Sequence, residues 1–197
     1  MPRPRTHDEA LRVRLLDRAG RLLSSEGAAA LSLRRLAADV GTSTTAVYSL
    51  FGGKPALLRE LYVEGFRRFN ARLRAVEHTG DPAEDLVRIG IVYRQSALAD
   101  PHLYSIMFTR VLPDFEPDAD AIAESTAAFM PLVEVVREAI ESGVFTQTAP
   151  DTVAITSWGL VHGLVSLELN GNLPPGMDVA GAYEDALRAN VRGWLKT

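Results

Sequence analysis

Residues 44–49 place several hydroxyl groups close together along the chain. Thr44, Thr45, Tyr48 and Ser49 share one side if this segment is helical, because residues four apart are neighbours on a helix. Hydroxyl and phenol groups donate and accept hydrogen bonds, and these side chains are short enough to reach phosphate oxygens or base edges at small entropic cost. The set therefore favours contacts with nucleic acid.

Other residue types that could support chemistry are absent or scattered. There is no cysteine, which excludes disulfides, thiolate metal sites and cysteine nucleophiles. The histidines at 7, 78, 102 and 162 lack metal-ligand spacing, and the sequence has no glycine-rich phosphate loop and no hydrolase or zinc-peptidase motif. The acidic run at 113–120 contains two prolines and no central glycine, which disfavours a calcium loop. We expect no enzyme, no metal and no cofactor.

Charge is distributed unevenly along a chain of otherwise ordinary globular composition. Residues 1–60 carry ten Lys and Arg against six Asp and Glu, whereas residues 61–197 carry eleven against nineteen. A basic N-terminal segment indicates contact with a polyanion. The longest uncharged run, residues 152–167, is shorter than the ~20 apolar residues of a membrane span, and the N-terminus has no signal-peptide core. We expect a soluble cytoplasmic protein with no membrane partner.

Helical periodicity along the whole sequence predicts an all-α fold of about nine helices. A first helix ends at Gly27, and Ser32 and Ser43 are good N-caps for two short helices. The predicted helices after the first are 33–40, 44–51, 55–78, 82–99, 101–111, 119–142, 150–169 and 178–195, with a kink or break at Pro131. This predicts a three-helix head (1–54) and a larger helical bundle (55–197), connected by the helix at 55–78.

The two short helices have the spacing of a helix-turn-helix. Such a unit needs a small residue where the helices cross, a glycine in the turn, and apolar residues that hold both helices from behind. Ala37, Gly41 and Val47 fill these places, and Leu36, Val40 and Leu50 supply the remaining apolar contacts.

Residues 31–58 resemble the DNA-binding head of tetracycline-repressor (TetR) family regulators. The matching residues are Ala37, Gly41, Ser43, Tyr48, Phe51 and Lys54, whereas Thr42 and Leu50 stand where the family often has Val and His. The resemblance implies that Tyr48 and Lys54 contact phosphates and that Thr44, Thr45 and Ser49 face bases. The DNA-binding residues that we predict are Ser32, Arg34, Thr42, Thr44, Thr45, Tyr48, Ser49 and Lys54. Arg3 and Arg5 could add a minor-groove arm.

Residues 158–169 resemble the C-terminal domain marked by Trp, His and Gly (WHG) in one branch of these regulators, which implies ligand binding and dimerisation. Gly159 and Gly163 share a helical face and cost roughly 1 kcal/mol each against alanine, so a close helix crossing is expected there. The predicted dimer residues are Gly159, Gly163, Leu167, Tyr183, Leu187, Val191 and Trp194. The predicted ligand residues are Phe69, Tyr93, Tyr104, Met107, Phe108, Trp158 and His162, although aromatic residues at helical spacing also suit a plain core.

These features predict a sequence-specific transcriptional repressor that binds a palindromic DNA operator as a homodimer and responds to a small-molecule effector. Two alternatives stay open at this point. One is a non-specific architectural DNA-binding protein, which the acidic bundle disfavours. The other is a ligand carrier or enzyme with a vestigial head, which the absence of catalytic motifs disfavours.

Overall fold

The computed structural model describes residues 5–108 and 115–196, and within them the chain forms nine α-helices and no strand. The helices are α1 (Arg5–Glu26), α2 (Leu33–Val40), α3 (Thr44–Phe51), α4 (Lys54–Arg74), α5 (Pro82–Ala99), α6 (Pro101–Phe108), α7 (Ala119–Glu141), α8 (Pro150–Leu169) and α9 (Val179–Trp194), with a short 3-10 helix at Ala28–Ala30. The predicted all-α class is confirmed.

Two compact units divide the chain, and the first comprises residues 1–67 and 100–125. Leucines of α1 pack with Leu36, Val47 and Leu61 in its fully buried core. α6 packs on α1, where a Cβ at Gly20 would lie 2.7 Å from the His102 ring, so only glycine leaves room for this approach. The predicted head at 1–54 therefore shares its compact unit with α6, a helix that the sequence-based division places in the bundle.

A charged contact also belongs to the first unit. Asp118 caps α7 by accepting a 2.9 Å hydrogen bond from the backbone N–H of Ala121, and it accepts a second, 2.6 Å hydrogen bond from the Arg59 guanidinium of α4. The Arg59 hydrogen bond is the main reason that the pKa of Asp118 is lowered. The start of α7 is thus held to α4 by an ion pair.

The second unit comprises residues 68–99 and 126–197. Its core contains Val87, Val135, Phe145 and Val165, each 2% exposed or less. The Tyr183 hydroxyl of α9 donates a 2.8 Å hydrogen bond to the Gly90 carbonyl of α5, and the Thr146 N–H donates a 2.9 Å bond to the Trp194 carbonyl. These bonds hold α9 against α5 and against the segment between α7 and α8.

Two helix predictions differ in detail from the structure. α7 continues through the buried Pro131, which excludes the predicted break at this residue, whereas the kink stays a prediction. α4 ends at Arg74 instead of residue 78, because the backbone N–H and hydroxyl of Thr79 both bond to the buried Asp85 carboxylate, at 2.8 and 2.7 Å. Arg3, and the predicted helical residues 109–111, lie outside the described residues, and only the backbone of Arg5 is described.

Candidate functional sites

The turn between α2 and α3 is built from two capping serines and a left-handed glycine. Ser32 accepts a hydrogen bond from the backbone N–H of Arg35 at 3.2 Å, and Ser43 accepts one from Ala46 at 3.1 Å. Gly41 ends α2 at φ 72°, a conformation that costs glycine little. Each short helix therefore begins and ends where the sequence predicts, which fixes the direction of α3.

The apolar sides of α2 and α3 face the core as predicted. Leu36 and Val47 are fully buried, Ala37 is 2% exposed, and Val40 and Leu50 pack against the same cluster. The opposite side of α3 is uncovered: Thr45, Tyr48 and Ser49 are exposed and Thr44 is half-buried. None of these four side chains hydrogen-bonds to another described residue, so all four hydroxyl groups are available to a partner.

Several arginines of the head are engaged within the head itself. Arg14 donates to the Val40 carbonyl at 3.1 Å, and Arg18 lies 2.6 Å from the Asp39 carboxylate. Arg35 makes a two-pronged ion pair with Glu26, at 2.7 and 2.8 Å, and this hydrogen bonding lowers the pKa of Glu26. The basic charge of the head is therefore partly neutralised internally.

Two predicted DNA-binding cations have different surroundings. Arg34 is exposed on the first turn of α2 and makes no ion pair with any residue that the structure describes. Lys54 is half-buried, and its Nζ donates a 2.9 Å hydrogen bond to the Ala28 carbonyl before α2. Since an ammonium has three donors, Lys54 can hold this loop and still contact a phosphate. Ser32 and Thr42 lie beside this surface, exposed and half-buried respectively.

Four predicted ligand residues form one cluster in the second unit. The Phe69 ring stands edge-on to Tyr93, with centroids 4.9 Å apart, and the Tyr93 hydroxyl lies 3.2 Å from Nδ1 of His162. Trp158 contacts both His162 and Phe129, at centroid distances of 5.9 and 5.7 Å. Burial lowers the pKa of His162, so its imidazole is neutral at pH 7. The cluster combines aromatic surface with a neutral hydrogen-bonding pair.

The other three predicted ligand residues lie in the first unit. Tyr104 and Phe108 have centroids 4.8 Å apart, and Phe66 contacts Phe108 edge-on at 5.6 Å. Met107 packs on Gly65, where a Cβ would lie 2.9 Å from its Cγ. The packing of α6 on α4 thus involves Tyr104, Met107 and Phe108. This agrees with the alternative that these residues form an ordinary hydrophobic core.

A small cavity was not expected from the sequence. It has a volume of about 80 Å³, and its lining includes Leu73, His78, Asp85, Pro131 and Glu134. Burial opposes ionisation of Asp85, but hydrogen bonds from Thr79 and His78 outweigh it and lower the pKa of this carboxyl group. The cavity lies among the end of α4, the α4–α5 turn, α5 and α7, and it is smaller than the ~300 Å³ or more that ligand pockets usually enclose.

The predicted dimer residues fall into two groups. On α8, a Cβ placed on Gly159 or Gly163 would have no described atom within 4 Å, and Ile155 and Leu167 are 53% and 42% exposed. We call these four residues the α8 outer face. On α9, Tyr183, Leu187 and Val191 are at most 7% exposed within their own unit, and Trp194 is half-buried. Those three buried side chains are core residues, which corrects their predicted place at the dimer surface. Ile155 was missed, although it lies one helical turn before Gly159.

α8 is long and apolar enough to cross a membrane by length and composition, and it is the one such helix among the described residues. α8 is longer than the uncharged run at 152–167, because it extends to 20 residues by including Asp151 and Glu168. Core helices of soluble proteins can be equally long and apolar. Only 28% of the apolar window is buried by the chain, which leaves the α8 outer face uncovered.

The helix-turn-helix and its uncovered polar helix define a DNA-binding transcriptional regulator. Residues 15–61 match the family profile described as bacterial regulatory proteins, tetR family, and residues 86–190, more than half of the chain, match the tetracyclin repressor-like C-terminal domain. The chain belongs to the TetR family of transcriptional regulators. The C-terminal match includes residues 158–169, on which the second resemblance rests.

Solved structures share this fold over nearly the whole chain. A protein of unknown function from Rhodococcus sp. RHA1 is 27% identical, with a TM-score of 0.82 over 94% of this chain and 96% of that chain. The TetR family transcriptional regulator PfmR from Thermus thermophilus is 21% identical, with a TM-score of 0.73 over 91% and 97%. NalD, the secondary repressor of the MexAB-OprM multidrug efflux pump in Pseudomonas aeruginosa, is 21% identical, with a TM-score of 0.68 over 98% and 99%. A comparison with curated protein sequences gave no match.

Proposed function

We propose that this protein is a cytoplasmic repressor that binds a palindromic operator as a homodimer and changes its DNA affinity when a small molecule binds. The observation that carries the proposal is the uncovered face of α3. Its threonine, tyrosine and serine side chains have no partner within the described chain, on a helix whose other face is fixed by a buried core. Such a helix suits insertion into a major groove, with Lys54 and Arg34 at phosphates.

The α8 outer face supports the homodimer. Two glycines one turn apart make a smooth strip between exposed Ile155 and Leu167, and glycine inside a helix is unfavourable without a compensating contact. A second copy of α8 would bury this strip by a close two-fold helix crossing. Two-fold symmetry of the protein would then require a roughly palindromic operator.

The cluster of Phe69, Tyr93, Trp158 and His162 supports an effector site in the second unit. A neutral imidazole beside a phenol can hydrogen-bond to an uncharged polar group, and the surrounding rings suit an aromatic or apolar body. Helix α4 supplies Phe69 to this cluster, and its first turn carries Lys54. A ligand that favours one position of α4 would change the spacing of the two DNA-binding heads. It would act only through a difference in affinity for the two arrangements.

Selection of bound duplexes from a random DNA pool, followed by titration of the selected duplex against scrambled DNA, tests the proposal. We expect a palindromic consensus that binds at least ~1000-fold more tightly than scrambled sequence. Equal affinity for all duplexes with a steep salt dependence would instead establish an architectural DNA-binding protein. The absence of duplex binding, together with a small molecule retained through purification, would establish a ligand carrier.

A further inference from the structure

The first two residues of α3 are both threonines whose side chains make no hydrogen bond to another described residue. In a helix-turn-helix, the N-terminal residues of the second helix are those that reach base edges. Thr45 is exposed and Thr44 is half-buried, and neither side chain hydrogen-bonds to another described residue. Ser43, just before them, already accepts the hydrogen bond that caps the helix. The two threonines are therefore the side chains best placed to meet bases, provided that α3 is the recognition helix proposed above.

α3 has no side chain that could read a base by a pair of hydrogen bonds. Its sequence is Thr-Thr-Ala-Val-Tyr-Ser-Leu-Phe, with no Arg, Lys, Asn, Gln, Asp or Glu. Two-pronged recognition of guanine uses Arg or Lys, and that of adenine uses Asn or Gln. What α3 does offer at its N-terminal end is two γ-methyl groups, each next to a hydroxyl group.

Neighbouring guanidinium groups do not replace the missing long side chains. Arg18 and Arg35 are ion-paired to Asp39 and Glu26 inside the head, and Arg14 donates to the Val40 carbonyl. Arg34 is exposed, but it lies on α2, the helix that crosses the phosphate backbone in this motif. Base recognition by α3 consequently falls to small apolar and hydroxyl groups.

We propose that Thr44 and Thr45 recognise the operator through the 5-methyl groups of thymine in the major groove. Thymine is the one base whose major-groove edge carries a methyl group, and the threonine methyl is among its usual apolar partners. The inference rests on the proposed function and specifies the DNA class: half-sites in which thymines occupy the positions that the start of α3 meets. A threonine hydroxyl accepts or donates at any base, so the methyl contact supplies the discrimination.

Replacement of thymine by deoxyuridine in the selected operator isolates this contact, because it removes the methyl group and keeps base pairing. We expect one or two positions in each half-site at which deoxyuridine weakens binding of the full-length protein by about three- to fivefold per methyl group. At the remaining thymines the replacement should leave affinity unchanged.

Matched variants assign the effect to the threonines. Thr44→Val and Thr45→Val keep methyl groups and should retain the preference for thymine over deoxyuridine, whereas Thr44→Ser and Thr45→Ser keep the hydroxyl and should lose it at the position that each residue reads. Thr152→Ser, which removes a methyl group from an exposed position on α8, is the control that should leave the preference intact. Melting curves of all five variants should coincide with wild type, since Thr45 and Thr152 are exposed and Thr44 is only half-buried.

Three outcomes would overturn the inference, and they distinguish failure of the methyl contact from failure of the proposed function. Specific, palindromic binding that is indifferent to deoxyuridine at every position, or a preference that survives in both serine variants, would overturn the methyl contact alone. Failure to bind any duplex specifically would overturn the proposed function and this inference with it.

Discussion

α3 and the α8 outer face are both left uncovered by the described chain, but their chemistry differs. α3 is apolar on its buried side, where Val47 is fully buried, and carries hydroxyl groups outside. α8 buries Val153 and Val165 completely, yet its outer face is also apolar, with Ile155 53% exposed. A polar face is stable when exposed to water in the absence of DNA. Exposure of an apolar strip is unfavourable, which favours its constant burial by another surface. Under the proposed function, α3 would bind DNA transiently, whereas the α8 outer face would stay covered by a second copy.

The glycines of α8 differ from other glycines of the chain in what surrounds them. Gly20 and Gly90 lie where another side chain already occupies the space of a Cβ, that of His102 and Leu187 respectively. Gly159 and Gly163 face open space, so nothing within the described chain requires them to be glycine. The open space beside them leaves room for the close approach of a second copy of α8 that the proposed homodimer needs.

Gly159→Arg should produce the largest effect. The added side chain has room in the single chain but would obstruct a close helix crossing. We expect a monomer in sedimentation velocity, with operator affinity reduced by about 100-fold or more because the linked second head is lost. Ala123→Arg, at an exposed position on α7, is the control that should remain dimeric. A Gly159→Arg protein that stays dimeric would show that α8 does not form the interface.

Tyr48→Ala tests the opposite surface and should give the next largest effect. Loss of one phosphate hydrogen bond in each half-site should weaken binding to operator and to scrambled DNA by a similar factor, about tenfold per half-site. Because Tyr48 is 54% exposed, the free energy of unfolding should change by less than ~0.5 kcal/mol. Tyr48→Phe removes the hydroxyl group and keeps the ring, so comparison with Tyr48→Ala separates their contributions to DNA affinity. Unchanged operator affinity of the alanine variant at moderate salt would contradict the docking of α3.

Lys54→Ala should give a mixed result, because this ammonium also bonds to the Ala28 carbonyl at 2.9 Å. We expect weaker binding to all duplexes, and a loss of unfolding free energy of about 1 kcal/mol for the missing hydrogen bond. Lys54→Arg, which keeps the charge and the donors, should recover most of the DNA affinity. If urea unfolding of Lys54→Ala matched wild type, the bond to Ala28 would contribute nothing to the head.

His162→Asn should give the smallest effect, seen in the pH dependence of stability. The folded-state pKa of His162 is lowered by burial, so the unfolded chain binds a proton first as pH falls. The stabilising effect of the neutral histidine is complete above pH ~6.5 and is lost progressively below it. Urea midpoints measured from pH 7.5 to 5 should therefore fall more steeply for wild type than for His162→Asn. Parallel curves would show that burial does not perturb this imidazole.

Local signals in the sequence predicted the starts of several helices well. Ser32, Ser43, Pro82 and Pro150 fix the starts of α2, α3, α5 and α8, and the structure begins these helices at the predicted residues. These signals act between residues a few positions apart, so they can be recognised without knowing the tertiary structure. The missed end of α4 depends on Thr79 and Asp85, a side-chain pair that becomes visible only when the turn is folded.

Site residues were also easier to predict where they lie close together in the sequence. The uncovered side chains of α3 could be predicted from one helix and its N-cap. The pairing of Tyr93 with His162 joins residues 69 positions apart, and the buried Tyr183 donates a hydrogen bond to the Gly90 carbonyl, 93 positions away. Helical periodicity alone could not distinguish which apolar side of α9 faces its own unit, and three of the four dimer residues predicted on that helix are therefore core residues.

The roles proposed for α3 and the α8 outer face are tested most directly by the number of protomers that bind a full palindromic operator and a single half-site, measured by sedimentation of labelled duplexes. We expect two protomers on the full operator, and an affinity for the half-site that is weaker by about 100-fold or more. One protomer per duplex, with equal affinity for the full operator and the half-site, would contradict DNA binding by α3 in a dimer held together by the α8 outer face.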